Sequence, residues 1–262
     1  MTLSLLQSAS SDSFKTIRLV ATDMDGTLTK QGKFTPNLLT ALNNLAAAGI
    51  PVVIVTGRSA GWVQGVVSYL PVAGAIAENG GLFYPNADSH PKLLVPLTDL
   101  IAHRQTLAQL FQHLQTQFPT LCESTDNRFR LTDWTFDVRG LSAADLETMR
   151  SFCGDRGWGF TYSTVQCHVK PLQQDKAIGL LQVLTHFFPT YSPQQIVTVG
   201  DSPNDESLFD SDRFPVSVGV ANVLHYSDRL HYKPKFVTQA AESEGFCELA
   251  QWLIQNNQSF TP

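Results

Sequence analysis

Short apolar runs recur along the chain, and each breaks off in a polar turn. A β-rich run from Ile17 ends in Asp23 and Asp25, Pro51 to Val55 ends in Thr56-Gly57-Arg58, Val72 to Ala77 ends in Glu78-Asn79-Gly80-Gly81, and Ile196 to Gly200 ends in Asp201. The later runs show no polar alternation, which predicts parallel strands buried on both faces. Between them lie residues at helical spacing. Thr35 and Pro36 form an N-cap and first helical position ahead of Leu38, Leu39, Leu42 and Leu45, with Gly49 as the stop. Ser59 is expected to cap a second helix running to Tyr69, and Gln173 to Phe188 carries Ala177, Ile178, Leu180, Leu181 and Leu184. Phe214 to Val220 and Phe236-Val237 add two further strands, and Glu244 to Ile254 reads as a closing helix. Alternating strands and helices predict an α/β fold around a parallel sheet.

The pattern changes between about Pro85 and Lys170. Leu82 to Tyr84 reads as a hairpin arm, broken by Pro85, Asn86 and Asp88. Then come an amphipathic helix from Leu100 to Phe118, a strand-like stretch from Phe129 to Val138, a helix from Ser142 to Asp155 and a strand-like stretch from Gly159 to Val169. Alternation at Thr132, Trp134, Phe136 and Val138 suits an antiparallel sheet with one open face. The expected organisation is a core of residues 15–84 and 171–262, an inserted α+β module at 85–170, and a loose Ser-rich tail at 1–14.

Composition narrows the functional classes. At 262 residues and 43% hydrophobic, the chain can bury one large core or two smaller ones. A net charge of -5 argues against a nucleic-acid partner, whose binding rests on neutralised phosphates. Cys122, Cys153, Cys167 and Cys247 make no C-x-x-C pair, so reduced thiols and a cytoplasmic setting are expected. No apolar run approaches a membrane span, and no membrane partner is expected. The oligomeric state stays open.

Parallel strands bring their carboxyl ends together, so Asp23, Asp25, Thr56, Gly57, Arg58, Asn79, Gly80, Asp201, Asn204 and Asp205 are expected around one opening. Crowded carboxylates stay ionised together only around a cation. With no His or Cys nearby in the pattern, oxygen donors select Mg²⁺ over Zn²⁺. Lys176 falls in the first turn of its helix, against the macrodipole, which suggests a functional reason for a cation there. Lysine, a hydroxyl and glycine amides beside Mg²⁺ are what a phosphoryl group requires.

In order along the chain, Asp23-Met24-Asp25-Gly26-Thr27, Thr56, Lys176 and Gly200-Asp201-Ser202-Pro203-Asn204-Asp205 resemble the four motifs of the haloacid dehalogenase superfamily of phosphatases. The resemblance implies a Rossmann-like parallel-sheet core with a cap. It further implies that Asp23 is the nucleophile that forms an aspartyl-phosphate and that Asp25 is the general acid and base. Mg²⁺ would be held by Asp23, the Asp25 main chain and Asp201, with Asn204 and Asp205 orienting ligands. Thr56 and Gly57 would bind phosphoryl oxygens, and Lys176 would offset charge. Arg58, Asn79 and Gly80 are further candidates for substrate contact.

The second acid, Asp25, favours phosphate transfer over dehalogenation. An insert placed between Thr56 and Lys176 resembles the type IIB branch, which includes sugar-phosphate, sucrose-phosphate and mannosyl-3-phosphoglycerate phosphatases. The expected partner is therefore a small phosphorylated metabolite, a sugar phosphate or glycosyl-phosphoglycerate, hydrolysed by an Mg²⁺ enzyme. A phosphotransferase with the same intermediate, a receiver-like regulatory domain and a capped binding protein without turnover are the competing readings. Arg128, Arg130, Arg139, Trp134 and His168 are candidates on the insert, each more simply read as a surface or packing residue.

Overall fold

A computed structural model describes residues 4–85, 90–163 and 165–257. Nine strands form the larger sheet in the order β1-β12-β11-β10-β2-β3-β4-β5-β6. They are β1 (Ser4–Leu5), β2 (Leu19–Thr22), β3 (Val52–Val55), β4 (Gly74–Ala77), β5 (Leu82–Pro85), β6 (Lys92–Leu93), β10 (Ile196–Gly200), β11 (Val216–Gly219) and β12 (Phe236–Val237). Neighbours from β1 across to β4 pair in parallel, and β5 and β6 add an antiparallel edge. At the centre, β2 lies beside β10, with Val199 opposite Thr22. From β2 the chain proceeds to β3 on one side and returns to β10 on the other, so the order switches there. Crevices at such switch points hold ligands.

Side-chain alternation divides the core into two layers. Val20, Val52, Ile54 and Val199 face α1 (Pro36–Ala47), α2 (Ala60–Tyr69) and α6 (Glu242–Asn257) through Leu42, Val63 and Leu249. Leu19, Val53, Val55 and Ile76 face α5 (Lys176–Phe187) through Ala177, Leu180 and Val183. Burial on both faces explains why these strands read as continuous apolar runs. α5 starts at Lys176, later than Gln173, because the Asp175 carboxylate accepts from Ile178 N and caps the helix there.

A separate three-stranded antiparallel sheet, β7-β9-β8, is built from β7 (Trp134–Asp137), β8 (Trp158–Tyr162) and β9 (Gln166–Pro171). It packs with α3 (Leu100–Gln117) and α4 (Ala143–Gly154) around Leu107, Phe111, Phe136, Met149 and Phe160. α4 begins in a reciprocal Ser142–Asp145 capping box. The stretch expected as one strand from Gly159 to Val169 is instead a hairpin, β8 and β9. β6 pairs with β5 in the larger sheet, inside the span assigned to the insert.

The segment expected as a loose tail is docked over its described part. β1 pairs with β12, and Leu6 and Phe14 are fully buried, with Phe14 against Phe236 and Trp252. Each such burial is worth about 1.5–3 kcal/mol, enough to order a short Ser-rich stretch. Met1, Thr2 and Leu3 of that expectation, and Asn86 and Asp88 of the expected break, lie outside the described residues. Among the described residues no helix is long and apolar enough to cross a membrane.

Candidate active site

The carboxyl ends of the central strands supply the chemistry. β2 runs directly into Asp23, whose backbone N–H continues the ladder to Val199 O at 2.9 Å, so the buried Asp23 carboxylate stands beside the end of β10. α5 places the Lys176 ammonium between two carboxylates, 2.5 Å from Asp23 Oδ1 and 2.7 Å from Asp205 Oδ1. Lys176 is fully buried, and these two partners hold its pKa above the ordinary lysine range despite burial. The cation that opposed the macrodipole is thus a counter-ion for two acids.

Asp205 is committed on both oxygens. Its Oδ2 accepts from Asp201 N at 2.9 Å and Ser202 N at 3.1 Å, and its Oδ1 holds Lys176. Asp205 therefore shapes the loop after β10. Asp201 accepts from Thr27 Oγ1 at 3.2 Å and from Asn222 Nδ2 at 2.8 Å, and the same amide donates to Gly26 O at 3.0 Å. Asn204 donates to Asn79 Oδ1 and accepts from Ser202 Oγ.

Asp23, Asp201 and Asp205 each place an oxygen within 4.8 Å of the others, and all three are buried. Three acids against one ammonium leave buried negative charge. Burial first, then the Asp205 charge, pushes Asp23 up to about 7, and burial with the Asp23 charge raises Asp201 well above the carboxylate range. A hard divalent cation relieves that repulsion, and an all-oxygen donor set suits Mg²⁺. Asp23 and Asp201 are the two with donor capacity to spare, since Asp205 is engaged by Lys176 and backbone amides.

A stability prediction follows. In the divalent-free protein, Asp23 holds a proton in the folded state up to pH about 7, against an ordinary value of 3.8 when unfolded. Its contribution is present below pH 4 and is lost as pH rises through 7, at up to about 1.4 kcal/mol per pH unit. Denaturant titrations in chelator between pH 4 and 8 should show this decline, and Mg²⁺ should flatten it. Separately, Asn222→Ala frees the Asp201 carboxylate to rotate and should weaken Mg²⁺ binding about 10- to 100-fold, read as the Mg²⁺ concentration needed to raise the melting temperature.

A small cleft opens over these groups. Asp23, Asp25, Thr56, Gly57 and Arg58 line its floor with Ser202 and Asn204, and Ser163, Val165, Gln166 and His168 of the insert line its roof. Thr56 Oγ1 accepts from Arg58 N at 3.1 Å, which leaves its hydroxyl proton to donate. Asp25 is gripped by Arg58 through two bonds, Nε to Oδ2 at 2.7 Å and Nη2 to Oδ1 at 2.6 Å, with the guanidinium 5.1 Å from the Trp62 ring centroid. Arg58, expected to face substrate, is thus paired with the expected acid.

Two expected substrate contacts sit elsewhere. Gly80 lies under the start of α5, where a Cβ would fall 2.1 Å from Asp175 O, so its role is close packing. Asn79 is fully buried behind the cleft and braces Asn204, with its Nδ2 unpartnered among the described residues.

Residues around the cleft also hold the insert against the core. Glu78 has left-handed backbone (φ 54°), and its buried carboxylate accepts from Ala60 N at 2.9 Å, Thr132 N at 2.6 Å and Thr132 Oγ1 at 2.8 Å, with Leu131 N and Asp133 N also in reach. It caps α2 in place of Ser59, whose hydroxyl has no partner among the described residues, and it clamps the insert to the core. Burial and the Asp133 charge raise its pKa. Arg130 binds Gly57 O at 3.0 Å, Asp133 Oδ1 at 2.9 Å and Asp126 Oδ2 at 2.9 Å. Asp133 Oδ2 in turn lies 2.8 Å from His168 Nδ1. Of these, only Arg130 and His168 stood among the insert candidates. Arg139 is exposed on Asp137, and Trp134 stacks with Arg104.

The family model for haloacid dehalogenase-like hydrolases matches residues 20–133. A phosphoglycolate phosphatase of Methanothrix thermoacetophila is 28% identical over 239 residues, covering 89% of this chain and 95% of that protein. Phosphoglycolate phosphatase 1 of Saccharolobus solfataricus is 27% identical over 250 residues, covering 91% and 96%. Among solved structures, a Thermoplasma acidophilum protein superposes with a TM-score of 0.73 at 21% identity, over 90% of this chain and 98% of that one. The sucrose-phosphatase of Synechocystis superposes with a TM-score of 0.63 at 16% identity, over 90% and 97%.

Proposed function

We propose that this chain is a haloacid dehalogenase-like hydrolase of the type IIB branch, an Mg²⁺-dependent phosphomonoester hydrolase working through an aspartyl-phosphate on Asp23, supported by the family model and the phosphatase relatives. The observation that carries this reading is the buried Asp23 carboxylate, charge-paired to Lys176 and facing an open cleft. One Asp23 oxygen attacks phosphorus in line while the ester oxygen leaves. Lys176 keeps the attacking carboxylate from being a lone buried charge, and the Thr56 hydroxyl and Gly57 N–H donate to phosphoryl oxygens. Asp25, released from Arg58, protonates the departing alkoxide, then takes the proton of the water that splits the acyl-phosphate. Bound Mg²⁺, held by the Asp23 and Asp201 carboxylates and the Asp25 main chain, would neutralise phosphoryl charge.

For substrate we favour a small phosphorylated carboxylic acid such as 2-phosphoglycolate. The relatives that match over most of both chains carry that activity in their names, and the cleft is small. Sugar phosphates and glycosyl-phosphoglycerates, expected from motif spelling, become competitors in the test. Phosphate release should be measured with Mg²⁺ and with chelator from 2-phosphoglycolate, ethyl phosphate, hexose phosphates, a glycosyl-phosphoglycerate and nucleotides. Mg²⁺-dependent release led by 2-phosphoglycolate is the expected result. Preference for a hexose phosphate or a glycosyl-phosphoglycerate would overturn the substrate, and stable phospho-Asp23 without release would overturn hydrolysis.

A further inference from the structure

The roof of the cleft offers little that is free to meet a substrate. Gln166 accepts from Arg130 Nη2 and donates to Asp126, and the Ser163 hydroxyl accepts from Val165 N and Gln166 N, which leaves it a neutral proton to donate but no charge. Val165 is apolar. His168 differs, because only one edge of its ring is used. Nδ1 meets Asp133 at 2.8 Å, and Nε2 has no protein partner among the described residues although the ring is almost wholly buried.

The ring is held from behind. Asp133 is itself fixed by Arg130 Nη1, at 2.9 Å and 3.1 Å to its two oxygens, and that same nitrogen donates to Gly57 O at 3.0 Å. His168 also packs on Gly57, where a Cβ would fall 3.0 Å from its Cε1. A side chain at this turn would press on the imidazole, so the absence of a Cβ lets the insert residue lie close against it. The result is an imidazole whose distance from the phosphoryl site is set by the loop that holds the phosphate.

Resting on the substrate reading above, we propose that His168 is the specificity-determining residue for the alcohol half of the substrate: its Nε2 edge receives a carboxylate one carbon from the ester oxygen. Asp133 accepts the Nδ1 proton, so a free ring presents a lone pair at Nε2. An arriving carboxylate places a second anion across the ring from Asp133, and Nε2 takes up one proton from solvent to donate to it. No covalent bond forms or breaks. The charged groups around the ring are Asp133, Arg130 and Lys176, and Asp23, Asp25 and Arg58 line the same cleft. In this conformation Arg58 is paired with Asp25, so the basic group with an open edge toward an entering anion is His168. Asp133 and Arg130 act through His168 and are positioning residues.

The test is the ratio of kcat/KM for 2-phosphoglycolate to that for ethyl phosphate, which lacks the carboxylate, measured with Mg²⁺ on the full chain. In wild type the ratio should exceed unity. His168→Leu should lower it by about 10- to 100-fold, chiefly through the KM for 2-phosphoglycolate, and His168→Gln, which keeps an N–H donor, should restore part of it. A purely structural role would lower both rates and leave the ratio unmoved, which would overturn the assignment. Asp133→Asn, which removes the charge behind the ring, should also lower the ratio. It decides alone if His168→Leu does not fold, and a ratio within twofold of wild type would then overturn the inference. A wild-type preference for ethyl phosphate would overturn both this inference and the substrate reading, whereas a wild-type preference that survives in His168→Leu overturns this inference only.

Discussion

Asp23→Asn should reduce phosphate release by about 10⁴-fold or more, because the amide cannot attack phosphorus and no other group lies in its place. The same substitution should not weaken the fold. Asp23 is buried beside Asp201 and Asp205, and its carboxylate is pushed up to about 7 by burial and then by the Asp205 charge. Replacing it with a neutral side chain of the same shape relieves that repulsion, while Asp205 still partners Lys176. In chelator above pH 7 the variant should therefore melt no lower than wild type, and intact-mass analysis after incubation with substrate should find no phosphorylated protein. A loss of activity accompanied by a lower melting temperature would point to damaged structure in place of a missing nucleophile.

Lys176→Met should carry the largest cost in stability. The ammonium is fully buried and neutralises two carboxylates at once, and removing one partner of such a set commonly costs about 3–5 kcal/mol because the remaining charges are left without compensation. The expected cost depends on pH. Without the cation, Asp23 and Asp205 can escape only by taking up protons, so the destabilisation should be greatest near pH 8 and shrink toward pH 5. Denaturant midpoints at several pH values in chelator would test this. Activity at saturating Mg²⁺ should fall by about 10²- to 10³-fold, the size expected when one preorganised charge is removed from a phosphoryl-transfer site. A pH-independent stability loss would mean that the methionine merely fails to pack.

The pairing of Asp25 with Arg58 bears on both results. A carboxylate that accepts two guanidinium N–H bonds cannot hand a proton to a leaving group until it is released. On the proposed reading this conformation precedes chemistry, and the edge open to an anion drawn into the cleft is that of His168. The chain's net charge of -5 does not conflict with an anionic substrate, since a small anion needs only local attraction at the cleft, where Arg58 lies.

Local pattern was enough for the elements that build the larger sheet. β3, β4 and β10 fall where uninterrupted apolar runs end in polar turns, and α1 starts where Thr35 caps Leu38 N. These features depend on neighbours a few residues away, and burial on both faces leaves a strong hydrophobic signature. The positions of Asp23, Thr56, Lys176, Asp201 and Asp205 were legible for the same reason, because strand ends in a parallel sheet converge.

What the tertiary structure decided is of another kind. A two-residue strand such as β1 carries no periodicity, and it forms because Leu6 and Phe14 find a hydrophobic site more than two hundred residues away in sequence. Glu78 reads as a turn residue until Ala60 and residues 131–133 bring it unpaired N–H groups, and Asn222 has no signal at all until it meets Asp201 and Gly26. Arg130 and His168 look like surface or packing residues on a strand-like stretch, yet they are buried by their contacts with Asp133 and Gly57. A buried polar group must find partners wherever the fold supplies them, and those partners are set by the approach of distant loops. Sequence by itself therefore determined the sheet and the acids at its edge, through local burial and spacing, and only the tertiary structure determined which side chains hold those acids and which ones line the cleft, because such pairings are made across space.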